Sequence, residues 1–227
     1  MNFCFDLDGP IIDVTDRYYR AYLESLAGNA TNPDQILPKE DFWKLKQNRI
    51  TDLELGIMSS LSISNSINAA ETRKGLSFKS EYLSLDKLFD DVYKTFEYLK
   101  SQKITFFVVT LRRKKQLVHA IKQFKLNEYL TSDRFFSLAD EEKIINDIQS
   151  KHLLLVGAIN KLRLEPRETW IVGDSDTDIH AGRLARLGKT IAISRGIRSK
   201  EQLEILNPDY LVNNLNELMA IIQKLPV

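Results

Sequence analysis

Thiols are almost absent from this chain, in which Cys4 is the only cysteine among 227 residues. A lone cysteine excludes an internal disulfide framework and a thiolate metal cluster, and inside an apolar run it reads as a small core hydrophobe, which fits a reducing compartment. Histidine is nearly as scarce: His119, His152 and His180 are scattered, and surface or packing roles are expected for each. No apolar run approaches the length needed to span a membrane, and the first strand starts too close to Met1 to leave room for a leader, so a cytoplasmic protein is expected. A formal net charge of +1 supplies no electrostatic footprint for nucleic acid or a membrane surface, and neither partner is expected. Internal repeats and true low-complexity tracts are absent as well.

What is present describes a globular protein, with 43% hydrophobic and 28% charged residues. The length suits one core of ordinary size carrying a smaller insert. The stretch NFCFDLDGPIID, Asn2 to Asp13, organises the rest. Its apolar run is broken by Asp6 and then by Asp8 and Gly9, as in a buried strand that ends by presenting two acids to one spot. Carboxylates at i and i+2 on an extended backbone point the same way, and a divalent cation is the obvious means of offsetting their repulsion. Gly9 permits a sharp turn after them, and Pro10 fixes its exit.

Beyond that turn the spacing predicts a helix over Asp16 to Leu26, capped by Thr15 or Asp16, a loop over Asn29 to Pro38, a short helix over Lys39 to Lys46, and weak helical pattern from Asp52 to Leu83. This segment lacks strand signals, so residues 15–84 are expected to form a small helical insert, with residues 1–14 and 85–227 as the core. From Asp86 the texture changes. Helices are expected over Asp86–Lys100, Lys114–Phe124, Glu141–Leu162 and Ile179–Leu187. Strands are expected over Ile104–Val109, Phe135–Phe136, Thr169–Gly173, Thr190–Ile193 and Tyr210–Val212. Such alternation implies an α/β fold, a Rossmann-like parallel sheet with helices on both faces, whose function gathers at the carboxyl ends of the strands.

That rule collects Asp6 and Asp8, Thr110, and Asp174 with Asp178 at one edge, although they lie far apart in the chain. Several carboxylates without thiolate or imidazole select a hard cation, and Mg²⁺ works with a few carboxylates, waters and a phosphate, so a phosphate-bearing substrate is expected. The Thr110 hydroxyl and neighbouring backbone N–H groups, that of Leu111 among them, are donors suited to an anionic oxygen. Taken singly, Thr110 could equally be a turn residue, and Asp174 or Asp178 a helix cap.

The set FDLDG at Phe5 to Gly9, FFVVT at Phe106 to Thr110, a lysine at Lys151 and VGDSDTD at Val172 to Asp178 resembles the haloacid dehalogenase-like superfamily of phosphatases. The tail from Ile179 to Leu218 is similar to phosphoglycolate-phosphatase-like members. The resemblance implies an enzyme hydrolysing a small-molecule phosphate monoester through an aspartyl phosphate. In it Asp6 is the nucleophile and Asp8 the general acid/base, Thr110 and Lys151 bind the phosphoryl oxygens, and the helical insert is a C1 cap that closes over the site. It further implies a Mg²⁺ ion held by Asp6, by Asp8 through its backbone carbonyl, and by Asp174. Asp178 either reaches the metal or holds the lysine, and Lys143 competes with Lys151 for the lysine's role.

Asp8 speaks against the superfamily's dehalogenases and phosphonate hydrolases. A sugar phosphomutase of the β-phosphoglucomutase type is the main alternative, weakened by Tyr18 where those enzymes carry histidine, and a non-enzymatic phospho-acceptor module is a further one. Arg49 in LKQNRI is a candidate substrate contact in the cap. The run Arg112, Arg113, Lys114, Lys115 opposes a helix dipole if it opens the next helix; either it is solvated surface, or one or both arginines face the mouth beneath the cap, where they concentrate a dianionic substrate and pair with a second acidic group on it.

Overall fold

The β-branched and aromatic runs of the chain become the strands of one parallel sheet. The computed structural model describes residues 1–27, 33–141 and 146–224. Strands β1 (Asn2–Phe5), β2 (Ile12–Asp13), β3 (Lys87–Leu88), β4 (Thr105–Arg113), β5 (Phe135–Leu138), β6 (Thr169–Gly173), β7 (Lys189–Ile193) and β8 (Tyr210–Val212) follow in order. Six of them form a sheet in the order β5-β4-β1-β6-β7-β8, and its pairings are parallel. Phe5 pairs with Val108 of β4 on one side and Val172 of β6 on the other, so β1 is the central register and all three strands run out at the same edge.

The chain divides into two compact units, residues 1–13 with 88–227 and residues 14–87. The second is helical: α1 (Thr15–Leu26), α2 (Lys39–Gln47), α3 (Asp52–Met58), α4 (Ile63–Leu76) and α5 (Ser80–Leu83). It has its own core of Tyr22, Leu26, Phe42, Leu55, Leu61 and Ala69. A fully buried Arg17–Asp86 ion pair at 3.1 Å lies within it. Helix α1 begins after Val14 with no side-chain cap, so neither Thr15 nor Asp16 caps it; Asp16 is instead engaged by Lys39 and Lys87. The weak pattern from Asp52 to Leu83 is three helices. Thr51 and Glu54 cap the first reciprocally, and Ser62 caps the second through Asn65 N–H.

In the first unit α6 (Val92–Ser101), α7 (Lys114–Gln123), α8 (Asp147–Leu162), α9 (Asp176–Leu184), α10 (Lys200–Glu204) and α11 (Leu215–Ile222) complete the order. Alternating side chains of the strands supply two cores. Cys4, Phe107, Val109 and Ile171 face Leu155 and Ile159 of α8 and Ala181 of α9. Phe5 and Phe106 instead stack edge-on or tilted against each other and Phe96 of α6. Burial pushes the Cys4 thiol well above its ordinary range, as suits an inert core residue.

Several boundaries differ from those expected. Helix α6 begins at Val92, not Asp86, because Asp91 is turned to an ion pair with Arg195 and to the Leu215 N–H. Strand β4 runs past Thr110 to Arg113, with an irregularity in its pairing between those two residues. Helix α9 starts at Asp176 rather than Ile179, because Ser175 caps it and Asp176 and Asp178 occupy the first turn, where a helix dipole favours acids. Helix α8 starts at Asp147, with Asn146 as its cap, and Glu141 lies in a turn.

Candidate active site

The sheet edge beyond Phe5 gathers the acids. Asp6 follows β1 directly, and its N–H extends the ladder to Val172 O at 2.9 Å. Lys151, on α8 and 1% exposed, places its ammonium 2.5 Å from Asp6 Oδ1 and 3.0 Å from Asp178 Oδ1. Asp178 sits in the first turn of α9. Its Oδ2 accepts the Ser175 hydroxyl at 2.6 Å, while its own N–H donates to that oxygen at 3.4 Å. Asp174, just past β6, accepts the Ile197 N–H at 2.6 Å. Glycines make room around these acids. A Cβ at Gly9, where φ is +93°, or at Gly196 would collide with the Asp174 carboxyl, and one at Gly173 would collide with Asp178.

Burial pushes the Asp6 carboxyl up to about 7, with Lys151 pulling it down and Asp178 and Asp8 adding to the rise. Burial, then Asp178 and Asp6, holds Asp174 well above the usual carboxylate range, against the pull of the Ile197 N–H. For Lys151 burial works against the charge, but Asp178 and Asp6 outweigh it and keep the ammonium protonated. Among the described residues Lys151 offsets one negative charge, so ionisation of all three acids leaves an excess. Asp6, Asp174 and Asp178 offer carboxylate oxygens within 4.8 Å of one another. An all-oxygen donor set with uncompensated charge, and with glycines packed on Asp174, fits a hard divalent cation.

Thr110 lies in β4, 2% exposed, and its hydroxyl oxygen accepts the Arg112 N–H at 3.1 Å. Asp8 follows in the turn after β1, and its Oδ1 takes Arg112 Nε at 2.8 Å and Nη2 at 2.7 Å. Both arginines of the basic run lie in β4, and Arg113 is also the residue from which α7 starts. Arg112 is buried, 3% exposed, which removes the solvated-surface reading for it. Arg113 turns the other way: its Nη1 donates to the carbonyls of Ala139 and Asp140, and its N–H to Gln116. The start of α7 receives an acid to offset its cations, since Lys115 N–H donates to Asp140 Oδ1 at 3.0 Å.

Arg49 belongs to the helical unit, in the turn after α2 with a left-handed φ of 69°. Lys143 lies outside the described residues. Two contributors carry little local signal. Ser175 could have been found as a helix cap, but Arg195 could not. Its Nη1 meets both Asp91 oxygens at 2.8 Å, and its Nη2 and Nε donate to the carbonyls of Pro10 and Gly9, so a residue far along the chain braces the turn behind Asp8.

Against known proteins, a family model described as haloacid dehalogenase-like hydrolase matches residues 3–193. Among curated relatives, the pyrophosphatase PpaX of Bacillus mycoides (strain KBAB4) is 23% identical over 230 residues, covering 97% of this chain and 96% of that protein. A predicted phosphatase from Clostridium acetobutylicum has a similar solved structure, with a TM-score of 0.71, 20% identity and 99% of each chain covered. A predicted phosphoglycolate phosphatase from Haemophilus somnus 129PT superposes with a TM-score of 0.68 at 18% identity, covering 97% of each chain.

Proposed function

The chain belongs to the haloacid dehalogenase-like hydrolases, and from that premise we propose that it hydrolyses a small-molecule phosphate ester, with Mg²⁺, through a phosphorylated Asp6. The observation that carries this reading is the meeting of Asp6, Lys151, Asp174 and Asp178 at the end of β1 and β6. Asp6 attacks phosphorus, the bond to the leaving oxygen breaks, and Asp8 gives that oxygen its proton. Asp8 then takes a proton from water, whose oxygen attacks phosphorus and frees Asp6 and phosphate.

Thr110 donates its hydroxyl proton, and Leu111 its N–H, to the phosphoryl oxygens, while Lys151 cancels the charge repulsion between a carboxylate and a phosphate dianion. Asp178 keeps Lys151 in place. Asp6, Asp174 and the backbone carbonyl of Asp8 would hold Mg²⁺, with Asp178 as a further candidate ligand; when bound, the ion would neutralise charge on the transferring group. The helical unit, residues 14–87, has the role of the cap and selects the substrate, with Arg49 as a contact. The resemblance to a protein named pyrophosphatase adds inorganic pyrophosphate to the candidate substrates.

A panel of phosphate monoesters and pyrophosphate, assayed with Mg²⁺, tests the reading together with Asp6→Asn. Turnover of at least one panel member and its loss in Asp6→Asn by a factor of about 10³ or more are expected. Retained turnover in Asp6→Asn removes the nucleophile assignment. Activity that depends on an added sugar bisphosphate indicates a phosphomutase instead.

A further inference from the structure

The sequence places Arg112 among possible substrate contacts, whereas its side chain is committed inside the protein. Both Nε and Nη2 point at one oxygen of Asp8, at distances typical of charge-assisted hydrogen bonds, across a sequence separation of 104 residues. A guanidinium only 3% exposed is costly to bury unless it is paired, so the pair is a built feature of this edge. It is made possible by the continuation of β4 beyond Thr110, where the irregular pairing re-aims the residues that follow.

The backbone around Asp8 is closed without this arginine. Gly9 N–H donates to Ile12 O at 2.8 Å, Ile12 N–H to Leu7 O at 2.9 Å, and Arg195 holds the Gly9 and Pro10 carbonyls. What Arg112 adds is control of the Asp8 side chain. Its backbone acts as well: the Arg112 N–H occupies the Thr110 hydroxyl oxygen, and a hydroxyl that accepts there keeps its single proton for another acceptor.

We propose that Arg112 is a positioning residue, which fixes the Asp8 carboxyl for proton transfer to and from the leaving group and orients the Thr110 hydroxyl toward the phosphoryl group. This rests on the phosphatase reading above and deepens it. A carboxyl that can rotate away delivers a proton poorly, so its loss of orientation costs most where the leaving group needs protonation and least where it departs as a stable anion. A substrate contact would behave differently, since its removal raises KM for all esters that share the contacted group.

The test measures kcat/KM with Mg²⁺ for Arg112→Ala, Arg112→Gln and Arg112→Lys on p-nitrophenyl phosphate, phenyl phosphate and glycerol 2-phosphate. The ratio between substrates reports the phosphoryl-transfer step and is insensitive to the fraction of enzyme that is folded. For Arg112→Ala we expect a loss of about 100-fold on glycerol 2-phosphate against about 5-fold or less on p-nitrophenyl phosphate, carried by kcat rather than KM. Arg112→Lys should recover part of that gap, and so should guanidinium ion added to the alanine variant. If Arg112→Ala does not fold, the Gln and Lys variants carry the same comparison.

Equal losses on the three esters, a loss confined to KM, or unchanged kinetics would overturn the proposal. Asp6→Asn assayed in parallel separates the two levels. An active Asp6→Asn removes the phosphatase mechanism, whereas an inactive Asp6→Asn beside a variant of Arg112 with no leaving-group dependence removes only the positioning role.

Discussion

Gly9 has a smaller side chain than any alternative and a conformation that few alternatives accept. Its φ of +93° is strained for residues with a Cβ, and the space where that Cβ would go is filled by the Asp174 carboxyl. Two independent penalties therefore fall on one substitution. Gly9→Ala is expected to lower stability by about 1–3 kcal/mol. It should also shift Asp174, so activity falls by more than the loss of folded protein explains. Urea denaturation and kcat measured on the same preparation check this, and a variant with wild-type values for both would contradict it. Gly9 was legible as a turn residue from the sequence, because a glycine after two acids has an obvious backbone use. The packing of Asp174 on it was not, since 165 positions of chain separate the two and only the register of β1 beside β6 brings them together.

At the scale of the element, local pattern served well where the element is local. Thr169–Gly173 and Tyr210–Val212 are strands with the limits that the sequence pattern indicates. Pattern failed where a polar residue is satisfied from far away. Arg112 and Arg113 read as the charged opening of a helix, yet the first is accommodated in β4 by Asp8 and the second by the Ala139 and Asp140 carbonyls. Asp86 to Asp91 read as the first turn of α6, yet Arg17 and Arg195 claim the acids at its ends. At α9 the periodicity of apolar residues concealed a helical turn made wholly of polar ones. Ser175 caps that turn and also holds Asp178, so the stability of the helix and the placement of Lys151 share one hydroxyl. Ser175→Ala is expected to cost about 1 kcal/mol from the lost cap and to lower kcat several-fold, while Ser175→Thr preserves most of both. A denaturation midpoint unchanged in the alanine variant would show that the cap carries no stability.

Across the whole molecule the balance of charge is nearly even, at +1, but its distribution is not. The carboxyl edge of the sheet concentrates Asp6, Asp174 and Asp178 around Lys151, and burial together with mutual repulsion drives Asp6 and Asp174 upward. Such crowding opposes folding, because these acids are well hydrated and far apart in the unfolded chain. A cation that binds the folded site and ignores the unfolded chain relieves that opposition, and its effect spreads to the entire cooperative unit as a rise in melting temperature. For one site the gain is RT ln(1 + [L]/Kd), about 2.7 kcal/mol when free Mg²⁺ is 100 times its dissociation constant. Thermal unfolding of the wild-type protein should therefore move upward with Mg²⁺ concentration and return to its starting value with chelator. Asp174→Ala removes one of the repelling acids as well as a ligand. Its melting temperature without metal should thus equal or exceed that of the wild type, while its response to Mg²⁺ collapses and phosphatase activity is lost. The crossing of the two trends is the signature of a site strained for its ion. A wild-type melting curve indifferent to Mg²⁺, or an Asp174→Ala variant that responds as strongly as the wild type, would mean that the ion is held elsewhere.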